Sequence, residues 1–283
     1  MTSIAEAAAS FSCRLCDGHE LRLYYAQGND GRFRYYKCAQ CGLVNLDLAN
    51  VGLDQEQYTD HWINPMDDTH PAQRTTDASF DFLARYVTTP GHLLDIGCGN
   101  GRLLHLARRS GWEVKGIELA PKAADAVRRT LGVDVRVADF LTMTPAREEL
   151  ERYDVICLRH VLEHLPDSKL AMQKIRAMLR PEGYVLLEFP NVEAFDKRLK
   201  RWIVDRGLHR RKFSDDFTAG HCNEFCRESF EYLLGLTGFR LIRWETYSSK
   251  PLSNLFYNHV HIGNKARTLI QRADNVPARA PLN

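Results

Sequence analysis

The chain has 283 residues, of which 44% are hydrophobic and 26% are charged. These proportions exclude a disordered chain, a collagen and a coiled coil, and the length supports one large core with a small appended module. The formal charge is only +2, which does not favour nucleic acid as a partner. No apolar run reaches the roughly 18 residues that a transmembrane segment needs, so we expect a cytoplasmic protein.

Four of the eight cysteines form two closely spaced pairs near the N-terminus. The pairs are Cys13-x2-Cys16 and Cys38-x2-Cys41. Their spacing is typical of a structural zinc site with four thiolate ligands, and two short strands are predicted between them, at residues 21–25 and 32–36. We therefore predict a zinc ribbon over residues 11–46, where metal binding replaces a core too small to form. The alternative is four reduced, unconnected thiols.

From residue 72 onwards, helical and strand patterns alternate, which is typical of a parallel sheet covered by helices. Strands are predicted at residues 92–96, 112–118, 133–138, 153–158 and 184–189. Helices are predicted at residues 79–87, 102–110, 121–130 and 168–179.

A glycine-rich loop joins the first of these strands to the helix that follows it. The loop reads Gly97-Cys98-Gly99-Asn100-Gly101. Glycines let the backbone approach a ligand closely, and the next helix directs its N-terminal amides and positive dipole end to the same place. Residue 102 is an arginine where the dinucleotide-binding fingerprint requires a glycine, which makes an NAD site the weaker interpretation.

The segment Asp95-Ile96-Gly97-Cys98-Gly99-Asn100-Gly101 closely resembles the first motif of class I S-adenosylmethionine-dependent methyltransferases, and the resemblance covers about residues 75–262. It implies an α/β fold with a Rossmann-like seven-stranded mixed sheet, helices on both faces, and closing antiparallel strands at residues 239–247 and 255–262. It also implies S-adenosylmethionine as the cofactor.

The same resemblance assigns the cofactor-binding residues, which are Asp95, Gly97, Gly99, Gly101, Glu118, Asp139 and Phe140. Glu118 would bind both ribose hydroxyls, because a carboxylate offers two acceptor oxygens. Asp139 would bind the adenine amino group, with Phe140 beside the ring. Three carboxylates at successive strand ends would lie on the carboxyl edge of the sheet, where ligands bind in such folds.

The segment His160-Val161-Leu162-Glu163-His164 follows the fourth predicted strand at the same edge. In a helical turn, positions 160, 163 and 164 would share a face. We predict His160 as the general base, because an imidazole accepts a proton near neutral pH.

Two alternatives remain for this turn. Ubiquinone-pathway and small-RNA methyltransferases, which the segment also resembles, have Glu-x-x-Glu-His here and a later His, and bind a divalent metal. This chain has Glu163, His164 and a later His221, but His160 replaces the first Glu. The second alternative is a purely structural turn.

The segment also matches the inverted zinc-peptidase motif His-x-x-Glu-His. That motif requires a longer helix. A strand is predicted just before the segment and Pro166 follows it, so the required setting is missing.

An insertion at about residues 191–225 is of the kind that covers the substrate in this fold. It carries a basic stretch that would suit a phosphate-bearing acceptor, but the charge pattern favours the alternative, a solvated helix face. Near its end, His221 is a second catalytic candidate, with a capping or packing role as the alternative.

The predicted organisation is a zinc ribbon at residues 1–50, a linker at 51–74, a methyltransferase domain at 75–262 and a loosely ordered tail at 263–283. The ribbon resembles those that precede this domain in many bacterial methyltransferases of polysaccharide and natural-product pathways. We therefore expect O-methylation of a sugar, glycan or related small molecule. The alternatives are a methyltransferase acting on RNA or protein, and a ribbon-based scaffold with an inactive cofactor domain.

Overall fold

A seven-stranded mixed sheet forms the centre of the molecule. The computed structural model describes residues 11–49, 63–206, 208, 219–248 and 263–274. The strands are β1 (Leu21–Gln27), β2 (Phe33–Cys38), β3 (Val44–Leu46), β4 (His92–Ile96), β5 (Glu113–Glu118), β6 (Asp134–Val137), β7 (Tyr153–Arg159), β8 (Leu179–Pro190), β9 (Asn223–Glu224), β10 (Phe239–Tyr247) and β11 (Lys265–Arg272). The helices are α1 (Arg74–Ala84), α2 (Arg102–Arg109), α3 (Pro121–Leu131), α4 (Ser168–Met178), α5 (Phe195–Asp205) and α6 (Arg227–Thr237).

The large sheet has the order β10-β11-β8-β7-β4-β5-β6. Strands β8, β7, β4, β5 and β6 run parallel, and β11 lies antiparallel between β8 and β10. The adjacent residues Leu93 and Leu94 of β4 pack into different hydrophobic clusters, because successive side chains of a strand point to opposite faces. One cluster includes side chains of α1, α2 and α3, and the other includes those of α4 and α6. This confirms the predicted Rossmann-like architecture.

The predicted boundaries agree with the structure to within a few residues for most elements. Strand β10 has the predicted bounds, whereas α1 begins at Arg74 rather than at residue 79. Helix α3 shows why local sequence determines these boundaries. It begins at Pro121, whose fixed φ suits the first helical position, and it ends at Gly132, whose φ of 62° caps the helix in the left-handed conformation.

The last strand corrects the sequence prediction. The strand predicted at residues 255–262 lies outside the described residues, and the tail predicted to be loosely ordered instead contains β11. This strand is paired along both edges, with β8 and with β10. Its charged residue Arg267 is buried because it donates a hydrogen bond to the buried Glu188 of β8.

The four cysteines near the N-terminus belong to a small module, residues 11–49, called the N-terminal module below. Strands β1, β2 and β3 form its antiparallel sheet, and β9 from the predicted insertion adds a fourth strand to it. Cys13 and Leu15 belong to the same hydrophobic cluster as Phe189 and Phe225 of the large domain. The two parts therefore share one core.

The predicted insertion at residues 191–225 contains α5 and β9. Residues 207 and 209–218 of its basic stretch lie outside the described residues. Among the helices that the structure describes, none combines the length and the apolar character that a membrane span requires.

Candidate functional site

Of the three glycines in the loop between β4 and α2, only Gly99 faces open space. Gly97, Gly99 and Gly101 have φ angles of 69°, 54° and 81°, a region that favours glycine. A Cβ at Gly97 would lie 2.4 Å from Val161 Cγ2, and one at Gly101 would lie 2.9 Å from Val127 Cγ1. A Cβ at Gly99 would meet no atom within 4 Å, so the backbone there faces open space.

Glu118, at the end of β5, lies directly beside that space. Its Oε2 accepts a hydrogen bond of 2.8 Å from the Gly99 N–H, and its Oε1 accepts one of 3.0 Å from the Ala120 N–H. The two backbone amides fix the orientation of the carboxylate. Because each carboxylate oxygen has a second lone pair, Glu118 retains acceptor capacity for a ligand.

Asp95, at the carboxyl end of β4, and Asp139 and Phe140, which follow β6, lie in very different environments; β5 with Glu118 runs between these two strands. Asp95 is buried, and this burial raises the pKa of its carboxyl to about 7 although Arg159 opposes the shift. Asp139 is exposed after β6, and its Oδ1 accepts a hydrogen bond of 2.8 Å from the Leu141 N–H. Phe140 belongs to the hydrophobic core, so its contact with an adenine ring stays a prediction.

Sequence reasoning missed the role of Arg102, the first residue of α2. Its buried guanidinium donates to Asp77 Oδ1 at 2.7 Å, and to Asp68 Oδ1 and the Pro65 carbonyl at 2.8 Å. These bonds hold part of the predicted linker against the glycine loop. The partners lie 25 to 37 residues away from Arg102 in the chain, and no spacing pattern connects them.

The turn after β7 brings Glu163 into the interior. His160 has a φ of 56° and precedes a 3-10 turn over Leu162–His164. Glu163 is 1% exposed, and its Oε1 lies 3.3 Å from His160 Nδ1. Its Oε2 has no hydrogen-bond partner in the described part of the chain.

Two further histidines, His164 and His221, lie close to Glu163. Since the Gly220 carbonyl can only accept, His164 Nδ1 donates the hydrogen bond of 2.6 Å between them. Burial lowers the pKa of His164, which favours its neutral form. Its ring centroid lies 4.9 Å from that of His221. Nitrogen and oxygen atoms of Glu163, His164 and His221 lie within 4.8 Å of one another, whereas His160 does not belong to this group.

The carboxylate and imidazole donors of this group suit a divalent cation. The unpartnered Oε2 of Glu163 adds a second observation in favour, because a buried carboxylate oxygen normally has a partner.

His221 also lies 3.6 Å from the carboxylate of Glu224. Burial alone would raise the pKa of Glu224. Lys197 and His221 outweigh that effect and lower the pKa to about 2.

The four cysteines predicted to bind zinc lie together in the N-terminal module. The Cys13 and Cys41 sulfurs are 3.5 Å apart, as are those of Cys16 and Cys38, and all four lie within 4.8 Å of one another. A tetrahedral zinc site with zinc–sulfur bonds of about 2.3 Å has sulfurs about 3.8 Å apart. The donor set and its dimensions therefore fit a zinc ion without an open coordination position.

Comparison with known families identifies the large domain. A family model described as a methyltransferase domain matches residues 69–243, which is more than half of the chain. The chain belongs to this methyltransferase family. The matched region includes the glycine loop, Glu118, the turn with Glu163, and His221, but none of the four clustered cysteines.

Among the relatives of this chain are ubiquinone biosynthesis O-methyltransferases. One from Coxiella burnetii (strain RSA 331 / Henzerling II) is 25% identical over 150 residues, which cover 49% of this chain and 63% of the relative. The chain thus spans less than two thirds of the length of that relative. One from Cupriavidus pinatubonensis is 28% identical over 212 residues, covering 69% of this chain and 79% of the relative.

The solved structures similar to this chain include magnesium protoporphyrin IX methyltransferase from Synechocystis PCC 6803 with bound SAH. The TM-score is 0.51 at 16% identity, and the match covers 71% of this chain and 84% of the other. At this identity the likeness is one of fold.

Proposed function

We propose that the protein transfers a methyl group from S-adenosylmethionine to an oxygen atom of a sugar, glycan or related small molecule. The observation that carries this proposal is the open space at Gly99, bordered by the oriented carboxylate of Glu118. Membership of the methyltransferase family supports the reaction. The names of the ubiquinone O-methyltransferase relatives favour oxygen in a small molecule, and the choice of a sugar or glycan rests on the resemblance of the N-terminal module.

In this proposal the glycine loop and the three carboxylates hold the adenosyl part of the cofactor. Glu118 accepts hydrogen bonds from the ribose hydroxyls, and Asp139 accepts one from the adenine amino group. Gly99 admits the ligand where a side chain would exclude it. When bound, the cofactor supplies an electrophilic methyl group, so the chain must orient the acceptor, exclude water and remove a proton.

An acceptor hydroxyl is almost fully protonated at neutral pH, so its oxygen needs a base. We propose His160 as that base and His221 as a second catalytic residue. The buried Glu163 carboxylate, 3.3 Å from His160 Nδ1, would accept a hydrogen bond from the Nδ1–H, which leaves Nε2 available to take the proton of the acceptor.

A divalent metal at Glu163, His164 and His221 is the second candidate for this step. The unpartnered Glu163 Oε2 specifically favours it. The metal would lower the pKa of a bound hydroxyl, and His160 would then lie outside the metal ligands. The four cysteines would bind a separate, structural zinc ion.

The proposed function is tested with S-[methyl-³H]adenosylmethionine and extracts of the source cells, followed by mass spectrometry of the labelled products. We expect a labelled small molecule that carries one additional methyl group on oxygen. Label in RNA or protein alone, or failure of the chain to bind the cofactor in calorimetry, would refute the proposal.

The choice between base and metal is tested by substitution and chelation. If His160 is the base, His160→Asn should lower kcat by about 100- to 10,000-fold without changing cofactor affinity, and EDTA should have no effect as long as the cysteine cluster keeps its zinc, which metal analysis checks. If the metal acts instead, EDTA should abolish turnover, Mg²⁺ or Mn²⁺ should restore it, and His164→Asn should weaken metal affinity. Full activity of His160→Asn would remove His160 from the mechanism.

A further inference from the structure

The segment that carries His221 lies between the N-terminal module and the turn that carries Glu163. On one side, the Cys222 N–H donates to the Glu163 carbonyl at 3.0 Å, and Asn223 Nδ2 donates to the Leu165 carbonyl at 2.8 Å. On the other side, β9 pairs with β3, and the Leu46 N–H donates to the Cys222 carbonyl at 2.9 Å. The position of His221 therefore depends on both parts of the molecule.

Arg14 connects the cysteine cluster to this segment. It lies between the first two cysteines, and its backbone N–H donates to Asn45 Oδ1 at 3.1 Å. Its Nε donates to Asn223 Oδ1 at 3.0 Å, its Nη1 to the Leu46 carbonyl at 2.8 Å, and its Nη2 to the Cys222 carbonyl. The planar fork of one arginine thus joins three acceptors around β9.

Tyr35 of β2 contacts the backbone of the candidate catalytic residue His221. Its hydroxyl donates a hydrogen bond of 3.0 Å to the backbone carbonyl of His221. The tyrosine ring is 2% exposed and stacks on Tyr25 with a centroid distance of 4.5 Å. A buried, stacked ring has little freedom, so its hydroxyl is a fixed anchor.

We propose that Arg14 and Tyr35 are positioning residues of the acceptor site, through which the N-terminal module holds His221 beside Glu163 and His164. The inference rests on the proposed function, because it assigns the module a part in that catalytic site. A metal ion in the cysteine cluster would act on catalysis by fixing the segment that includes Arg14. A displacement of about 1 Å in a catalytic group can cost on the order of 100-fold in rate, so a positioning role is measurable.

The inference is tested with Tyr35→Phe, Arg14→Lys and the matched control Tyr36→Phe, each in the full chain. Tyr36 is the neighbouring buried tyrosine of β2, and its ring packs edge-on against Phe11. We expect kcat to fall about fivefold in Tyr35→Phe and on the order of 100-fold in Arg14→Lys, with wild-type values in Tyr36→Phe. The KM for S-adenosylmethionine, the affinity for S-adenosylhomocysteine and the metal content should be unchanged.

A spectroscopic measurement follows the position of His221 without relying on turnover. In protein labelled with ¹⁵N-histidine, the His221 signals are assigned by their loss in His221→Gln. They should shift in Tyr35→Phe and Arg14→Lys and stay in place in Tyr36→Phe.

Unshifted His221 signals together with wild-type kcat in Tyr35→Phe and Arg14→Lys would overturn the inference, and so would equal losses in Tyr35→Phe and Tyr36→Phe. Full activity of His221→Gln would refute the proposed catalytic role of His221. The histidine spectra would then still decide whether Tyr35 and Arg14 anchor this segment.

Discussion

The carboxylate of Glu118 is held by backbone amides of Gly99 and Ala120 at 2.8 and 3.0 Å, which orients its remaining lone pairs before any ligand arrives. Glu118→Gln should therefore weaken the binding of S-adenosylhomocysteine, because an amide offers one acceptor where the carboxylate offers two. Hydrogen bonds to a charged group contribute about 1.5–3 kcal/mol each, so we expect a loss of about 10- to 100-fold, measured by calorimetry. Glu113→Gln is the control, since Glu113 is an exposed residue of the same strand. Equal affinities in the two variants would remove Glu118 from the cofactor site.

Glu188 has a structural role that the sequence did not indicate. It is fully buried and accepts hydrogen bonds from Arg159 Nε at 2.9 Å, Ser79 Oγ at 2.7 Å and Arg267 Nε. Burial alone would raise its pKa, but the two arginines outweigh this and lower it to about 2. Glu188→Gln should lower the free energy of unfolding by about 3–5 kcal/mol at pH 7, because the buried guanidinium of Arg267 and the largely buried one of Arg159 lose their counter-charge.

The stability effect of Glu188→Gln should depend on pH. A carboxyl group whose pKa falls on folding stabilises the protein above its unfolded pKa, here 4.5, the ordinary pKa of a glutamate, and that stabilisation is lost as the pH falls through about 2. In urea titrations, the stability difference between wild type and Glu188→Gln should therefore shrink below pH 4.5. Glu182→Gln, at an exposed position of the same strand, should have almost no effect. A similar loss in both variants would contradict the buried ion-pair account.

Substitutions at two glycines of the loop should have different effects, one mainly on the stability of the fold and the other mainly on cofactor binding. Gly97→Ala places a Cβ 2.4 Å from Val161 at a φ of 69°, so it should destabilise the fold by about 2–5 kcal/mol. Gly99→Ala has the backbone cost of about 1–2 kcal/mol without a clash, because the added Cβ meets no atom within 4 Å. It should nevertheless reduce cofactor affinity strongly, since that open space is the proposed ligand position. Urea unfolding and calorimetry measure the two effects, and a Gly99→Ala variant with wild-type affinity would contradict the proposed site.

The elements also show which parts of the molecule could be predicted from sequence. The glycine loop and the ends of β4, β5 and β6 depend on local sequence, so they could be predicted from residue spacing and periodicity. The group of Glu163, His164 and His221 was suggested only by the resemblance to metal-binding methyltransferases, because the segment with His221 is brought close by pairing of β9, which has two residues and no periodic pattern. Strand β11 was missed because its Arg267 suggests an exposed chain, and its partner Glu188 lies 79 residues earlier.

At the scale of the whole molecule, the N-terminal module is part of the fold rather than an attachment to it. It shares a hydrophobic cluster with the large domain, its sheet includes β9, and Arg14 donates hydrogen bonds to residues 222 and 223. We therefore expect the two parts, which the sequence prediction divides at residue 50, to unfold together.

Because the N-terminal module and the large domain share a core, loss of a zinc ligand should affect the unfolding of the whole molecule. Cys38→Ser removes one of four thiolates, so zinc affinity should fall by more than the roughly 10- to 100-fold that loss of an outer partner costs. Because the module and the domain share a core, calorimetry should show one unfolding transition at a lower temperature rather than a separate early transition. Cys157→Ser, at a buried thiol of β7, should also lower stability but leave the zinc content, measured by mass spectrometry of the metal, at one ion per chain. No zinc in the wild-type protein would refute the metal site, and two separate transitions would refute the shared core, because an independent ribbon could then unfold without disturbing His221.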